Sequence, residues 1–152
     1  MLKMVKPEIV PGTAAFSKGI AVLQLVADSE NPTKHELLQR SGLPRQTLHR
    51  LLKALEAEQL VERTDDERYH LGARMFQFAG RAIEQNEILR RAEPDLRRLS
   101  ELTRETTHLA VRSGQQMVYL LRQDSPQAVR LATHVGGRVE LHASSIGKSL
   151  LA

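Results

Sequence analysis

Cysteine is absent from this sequence of 152 residues, and only two tyrosines and three phenylalanines are present. Without cysteine the chain has no disulfide framework, no zinc site with thiolate ligands and no cysteine nucleophile. The aromatic residues are too scattered along the chain to form the stacking platform on which RNA and single-strand binders hold bases. If the protein binds nucleic acid, duplex DNA is therefore the better candidate.

Long apolar runs are also missing. No segment approaches the roughly 20 apolar residues that cross a bilayer, and charged residues interrupt the first positions, where a signal peptide would be continuous and apolar. With 41% hydrophobic and 26% charged residues, the composition is that of a soluble globular protein with one large or two small domains. We expect a cytoplasmic protein without a membrane partner.

The net charge of +4 is weak evidence for DNA binding, because residues 1–80 carry 11 Lys/Arg against 10 Asp/Glu. Local clustering is more informative. Residues 34–53 hold five basic residues and a single acid, Glu36. The acids follow later, between residues 56 and 67.

An amphipathic helix is predicted over residues 43–60, because leucines recur at helical spacing. The other side of this helix carries groups that can donate hydrogen bonds to phosphates or base edges. The apolar side comprises Leu48, Leu51, Leu52 and Leu55, and the polar side comprises Gln46, His49, Arg50 and Lys53. This segregation indicates a helix that packs on a core and contacts DNA.

The residues before this helix predict a helix-turn-helix. Thr33 and Glu36 fit a capping box at the start of a helix that ends near residue 41. Gly42 suits the turn, and Pro44 suits the first turn of the following helix. Residues 1–16 are expected to form a flexible arm, after which Ser17 can cap a first helix.

A hairpin is predicted from the strand-like segments 61–64 and 68–71, which flank three acids at residues 65–67. It corresponds to the wing of a winged helix-turn-helix. If the wing touches DNA, Arg63 and Arg68 are its contacts. The alternative is a hairpin that only closes the domain, since the acids would repel phosphate.

The remaining sequence predicts a second domain. Helical periodicity covers residues 73–85 and 88–104, with Pro94 marking a start or kink, and the arginines of the second segment are interpreted as a solvated face. Strand-like segments follow at residues 108–112, 117–122, 129–134 and 139–142. This change of period indicates an α+β domain with antiparallel strands. A helix is expected to begin near residue 145, and the chain stops within it, which suggests a truncated domain.

Enzymatic and metal-binding alternatives rest on weak patterns. Residues 144–149 resemble the end of a phosphate-binding P-loop, but that motif needs glycine where this chain has His142. Glu140 and His142 would share one face of a strand as paired metal ligands, for which partly buried polar residues are the commoner explanation. No hydrolase signature is present. We therefore expect no catalytic residues, no metal and no cofactor.

The order of these elements resembles the IclR family of bacterial transcriptional regulators. Four segments carry the resemblance: residues 17–23 (SKGIAVL), 43–52 (LPRQTLHRLL), 69–72 (YHLG) and 141–152 (LHASSIGKSLLA). The last resembles the family's signature in its effector-binding domain. Serine at 149 and leucine at 141 depart from the usual pattern, and the family's effector domain continues past residue 152.

The resemblance implies a DNA-binding regulator, repressor or activator, that responds to a small metabolite such as an organic or aromatic acid. It implies a winged helix-turn-helix at residues 17–71, a linker helix at 72–86 and the first part of a GAF-like or profilin-like effector domain at 87–152. The implied partners are double-stranded operator DNA with a pseudo-palindromic site, a small-molecule effector, and further copies of the chain in a homodimer or tetramer.

Two sets of site residues follow. We predict effector contacts from residues of the signature segment: His142, Ala143, Ser144, Ser145 and Ile146. We predict DNA contacts from residues of the helix-turn-helix and wing: Thr33, Lys34, Arg45, Gln46, Thr47, His49, Arg50, Lys53, Arg63 and Arg68. An alternative hypothesis is a non-enzymatic sensor whose winged helix binds protein instead of DNA.

Overall fold

The computed structural model describes residues 10–127 and 133–151. The chain is of the predicted α+β class and divides after Arg81 into two compact units. This division falls inside the predicted linker, and the finer domain boundaries stay predictions. None of the described helices is long and apolar enough to cross a membrane.

The first unit contains three helices and a two-stranded antiparallel hairpin, and a fourth helix begins in it. The elements are α1 (Ala14–Ala27), α2 (Lys34–Ser41), α3 (Arg45–Ala57), β1 (Val61–Arg63), β2 (Tyr69–Leu71) and α4 (Ala73–Gln85). One apolar cluster joins all three helices and both strands. Its buried members are Val22, Val26, Leu37, Leu48, Leu52, Leu55, Val61 and Tyr69.

The first helix begins earlier than predicted. Thr13, not Ser17, occupies its N-cap position, and the Ser17 amide already donates a helical hydrogen bond to the Thr13 carbonyl at 2.9 Å. The turn at Pro11 and Gly12, where Gly12 has a φ of 84°, sets this start. Ala14 and Ala15 favour helix strongly, so the helix extends upstream of Ser17.

The helix-turn-helix forms as its capping residues predict. Thr33 and Glu36 make a complete capping box at the start of α2, and Gly42 ends that helix with a φ of 64°. Helix α3 is shorter than the predicted 43–60, and Pro44 occupies its N-cap position and not its first turn as predicted. The segregation of its two sides is confirmed, because Leu48, Leu52 and Leu55 are buried.

The second unit contains a long helix, a three-stranded antiparallel sheet and a short helix. The elements are α5 (Glu87–Thr103), β3 (Thr107–Ser113), β4 (Gln116–Gln123), β5 (Arg138–Glu140), a 3₁₀ turn (Leu141–Ala143) and α6 (Ser145–Leu151). Strand β4 lies between β3 and β5, and α5 packs on β3 and β4. The buried apolar residues of the sheet and the turn are Met117, Tyr119 and Leu141.

The structure changes some of the element boundaries predicted for this unit. Asn86 caps α5, and Pro94 lies inside that helix and not at its start. The strand predicted at 129–134 falls mostly on residues 128–132, outside the described part. The strand predicted at 139–142 ends at Glu140, because the chain turns there into the 3₁₀ conformation. His142 is therefore not a strand residue, and the proposed shared strand face with Glu140 is wrong.

Candidate functional site

The exposed side of α3 carries cationic and polar groups that the rest of the described chain does not engage. Arg45, Gln46 and Arg50 are exposed, and within residues 10–127 and 133–151 no side-chain hydrogen bond or ion pair occupies them. Thr47 is half-buried beside them. Because Leu48 and Leu52 anchor the opposite side in the core, these donors face away from the first unit.

The N-terminus of α3 has no side chain that caps it. Pro44 occupies the N-cap position; its carbonyl accepts from the Leu48 amide at 3.0 Å, but its side chain offers no acceptor to the amides of residues 45–47. These amides have no partner inside a helix, and the helix dipole adds partial positive charge at the same end. An anion such as a phosphate can be received there.

The start of α2 contributes a second group of donors. The Thr33 hydroxyl and amide both donate to Glu36 Oε2, at 2.9 and 2.7 Å, so Thr33 is occupied by the cap. The same bonds, the amide first, hold the pKa of Glu36 below its ordinary value. The next residue, Lys34, places its Nζ 3.0 Å from His49 Nδ1 on α3. Two predicted DNA contacts, fifteen positions apart in sequence, therefore meet.

Lys53 is less available than its place on α3 suggests. Its ammonium lies 2.8 Å from Glu56 Oε2. The other carboxylate oxygen, Glu56 Oε1, is buried and has no hydrogen-bond partner in the described residues. Removing Lys53 would leave this carboxylate without its counterion, so a loss of affinity after its substitution mixes two causes.

The cations of the hairpin are neutralised by its own acids. Arg63 pairs with Glu67, and Arg68 lies 3.2 Å from Asp66 and donates to the Asn31 carbonyl at 3.0 Å. A hydrogen bond from the Thr64 hydroxyl lowers the pKa of Asp66, which keeps the tip negative. A backbone bridge between Thr33 and Arg68 ties the hairpin to the start of α2.

The segment predicted to hold an effector forms the start of α6. The Ser144 hydroxyl accepts a hydrogen bond from the Gly147 amide at 3.0 Å and donates to Met117 Sδ at 3.4 Å. Ser144 thus acts as a helix cap. His142, Ala143 and Ser145 are exposed, and the half-buried Ile146 packs against the small core beneath them.

Gly147 is explained by packing and not by phosphate binding. A Cβ at this position would lie 2.0 Å from the Leu141 carbonyl oxygen, so only glycine fits there. The resemblance to a P-loop therefore reflects a close approach between α6 and the preceding 3₁₀ turn.

The sheet carries a polar cluster that the sequence did not predict. The His108 Nε2 lies 2.7 Å from the Thr133 hydroxyl, and the rings of His108 and Tyr119 are 4.7 Å apart. Burial, and then the charge of Arg122, lower the pKa of His108 below its ordinary value, which favours the neutral imidazole. No local pattern connects residues so far apart in sequence.

The paired metal ligands suggested by the sequence do not form. Glu140 accepts a hydrogen bond from Gln116 Nε2 at 2.7 Å, and His142 belongs to the 3₁₀ turn. Across the described ranges, no group of three or more His, Asp or Glu side chains is arranged to hold a metal ion.

Both units match models of the same protein family. Residues 15–65 match the family model described as the IclR helix-turn-helix domain, and residues 80–152 match the one described as Bacterial transcriptional regulator IclR C-terminal. The chain belongs to the IclR family. The resemblance recognised in the sequence is thereby confirmed, together with the fold class of a helix-turn-helix followed by an effector-domain segment.

Individual IclR relatives give the same assignment. The chain is 33% identical over 142 residues to the HTH-type transcriptional regulator BhcR of Paracoccus denitrificans, covering 93% of this chain and 51% of BhcR. It is 32% identical over 148 residues to the HTH-type transcriptional repressor AllR of Escherichia coli, covering 96% and 55%. Such relatives regulate transcription and are not enzymes. The chain spans about half their length.

Solved IclR structures share the fold. One is the crystal structure of an IclR homolog complexed with 4-hydroxybenzoate from Microbacterium hydrocarbonoxydans. It is similar with a TM-score of 0.77 and 30% sequence identity, over 91% of this chain and 58% of that chain.

Proposed function

We propose that this IclR-family chain is a transcriptional regulator that binds operator DNA through α3. The observation that carries the proposal is the exposed side of α3, where Arg45, Gln46 and Arg50 are unengaged in the described structure beside an uncapped helix N-terminus. A helix about 10 to 12 Å wide fits the major groove of B-DNA. The leucine side holds the helix rigidly on its domain.

The contacts divide by chemistry. The first turn of a recognition helix meets base edges, so Arg45, Gln46, Thr47 and His49 are assigned to base or near-base contacts. Arg50 and Lys53 lie further along and are assigned to phosphates. Arg50 is expected to make the stronger phosphate contact, because Lys53 is already ion-paired with Glu56.

The other predicted contacts contribute less to the affinity for DNA. Thr33 and Lys34 stand at the N-terminus of α2, where they border the phosphate backbone beside α3. Arg63 and Arg68 are paired with acids, so the wing contributes little to affinity. The binding free energy therefore comes mainly from α3.

Helix α4 supplies the surface for pairing two copies. None of its residues is buried within the chain, although Phe76, Ala79 and Ile83 form an apolar stripe at helical spacing. Phe76 is 77% exposed and Ile83 is 56% exposed. In a homodimer with a twofold axis, this stripe would pack against the same stripe of the second chain. Two recognition helices would then lie about 34 Å apart on a pseudo-palindromic site.

The second unit is proposed to receive a small organic acid at residues 142–146. The support is the family's C-terminal match and the neighbour complexed with 4-hydroxybenzoate. Regulation follows if the acid binds one dimer geometry more tightly than the other, since a ligand shifts an equilibrium only by its differential affinity. In keeping with this role the protein would act in the cytoplasm.

Selection of bound duplexes from random DNA by the full chain tests the DNA-binding proposal. We expect one inverted repeat to be enriched and its affinity to fall steeply with salt, as phosphate contacts require. No enrichment, or binding of protein but not DNA, would favour the protein-binding alternative.

The effector proposal needs a separate titration. Calorimetry with 4-hydroxybenzoate, and with 4-hydroxybenzyl alcohol as the matched probe without a carboxylate, should give heat only for the acid. His142→Ala should weaken that binding. Equal binding of both probes would contradict recognition of the carboxylate.

A further inference from the structure

The contact between Lys34 and His49 joins the two helices of the helix-turn-helix on their DNA-facing side. Lys34 is the first residue of α2 and is half-buried, whereas His49 is exposed in the first half of α3. The Lys34 Nζ lies 3.0 Å from Nδ1 of the imidazole, which is hydrogen-bonding distance.

The chemistry of the two groups determines the direction of this bond. An ammonium group has three donors and no acceptor, so Nδ1 of His49 must be the acceptor. A neutral imidazole carries one proton on either ring nitrogen, and the bond to one nitrogen fixes which. With Nδ1 unprotonated, the proton resides on Nε2, the nitrogen that Lys34 leaves free.

Resting on the DNA-binding function proposed above, we propose that Lys34 is a positioning residue that fixes His49 as a hydrogen-bond donor through Nε2. Purine N7, guanine O6 and thymine O4 are acceptors in the major groove, whereas the cytosine N4 amino group is a donor. His49 therefore selects an acceptor and disfavours cytosine at one position of each half-site. Lys34 sets this preference without touching the base.

Nitrogen NMR of histidine tests the tautomer without DNA. The full chain is labelled with ¹⁵N-histidine, and the His49 signals are assigned by their loss in His49→Gln. We expect the Nε2–H form in the unsubstituted protein and a mixture of both forms in Lys34→Met, which keeps the aliphatic stem. An Nδ1–H form, or the same form in both proteins, would overturn the proposal.

Selection of duplexes tests the consequence for base preference. In Lys34→Met the relative affinity for cytosine at one position per half-site should rise roughly fivefold to tenfold, the effect of one hydrogen bond, while other positions keep their preferences. Lys34→Arg, which also only donates, should retain the preference. The matched control is Arg50→Met, which removes a cation from the same side without touching His49 and should weaken all sequences alike.

Two results separate this inference from the function on which it rests. If Lys34→Met weakens all sequences uniformly, as Arg50→Met does, Lys34 is only a phosphate contact and the inference is wrong. If the unsubstituted chain selects no sequence at all, the DNA-binding proposal fails, and the NMR experiment still decides the tautomer.

Discussion

At the scale of single residues, the turn between the hairpin and α4 depends on glycine at position 72. A Cβ there would lie 2.2 Å from the Gln59 carbonyl oxygen, and the Gly72 amide donates to the Leu60 carbonyl at 2.9 Å. Gly72→Ala should therefore lower the free energy of unfolding by about 1 to 3 kcal/mol, the usual cost of overpacking. Urea denaturation followed by circular dichroism measures it.

Gly19→Ala is the matched control for this prediction. A Cβ at position 19 meets only Leu51 Cδ2, at 3.9 Å, in the interior of α1. Alanine favours helix there, so stability should rise by roughly 0.5 to 1 kcal/mol. Equal stability of the two variants would show that the backbone around residue 72 relaxes at no cost.

Contacts between distant residues were the part of the site that the sequence could not predict. Nothing local indicates that Lys34 meets His49 or that Arg68 reaches the Asn31 carbonyl. Each depends on how helices and turns come together in three dimensions. The sequence identified most of these residues as candidates and left their partners unknown.

At the scale of the element, helix α2 depends on its capping box. Thr33→Ala removes the hydroxyl that accepts a hydrogen bond from the Glu36 amide. This change should lower the free energy of unfolding by about 1 kcal/mol. The pKa of Glu36 is lowered in the folded state. The ionised Glu36 carboxylate therefore contributes fully to the free energy of unfolding above its ordinary pKa of 4.5, and this contribution is lost as the pH falls through the lowered folded pKa. The penalty of Thr33→Ala should therefore shrink in acid.

Glu36→Gln provides the control, because glutamine keeps the capping geometry and has no charge to titrate. In that background the cost of Thr33→Ala should not change between pH 7 and pH 3. A pH dependence that persists there would assign the effect to another carboxylate.

Elements whose signals are local were predicted well. The capping box, Gly42 and the leucine spacing of α3 specify helices within a few residues, since caps and periodicity act over one or two turns. The start of α1 and the end of β5 were misplaced. The start of α1 follows the turn at Pro11 and Gly12, which the sequence analysis placed inside a flexible arm, and β5 ends where the chain enters a 3₁₀ turn after Glu140.

At the scale of the whole molecule, the proposed dimer depends on the apolar stripe of α4. Phe76→Glu should yield a monomer, because a charge in the centre of an apolar interface is desolvated without a partner. Its own unit should stay folded, since Phe76 is exposed in the single chain. Sedimentation velocity, with circular dichroism to confirm folding, measures both.

Gln77→Glu places the same negative charge one residue further along α4, at an exposed position off the stripe. This variant should sediment like the unsubstituted protein. If Phe76→Glu also remains a dimer, the copies pair through another surface and the spacing of the recognition helices must be reconsidered.

The most direct test of operator recognition by α3 compares the unsubstituted chain with Gln46→Ala and Arg50→Ala. For each protein, the affinity for the selected duplex and for a scrambled duplex is measured over a range of salt concentrations. Gln46→Ala should reduce the discrimination between the two duplexes, by roughly 1 to 3 kcal/mol if the contact is bidentate. Arg50→Ala should weaken both duplexes alike and lower the salt slope by about one. If both variants lose the same affinity for both duplexes, or if binding does not depend on salt, α3 is not the element that recognises the operator.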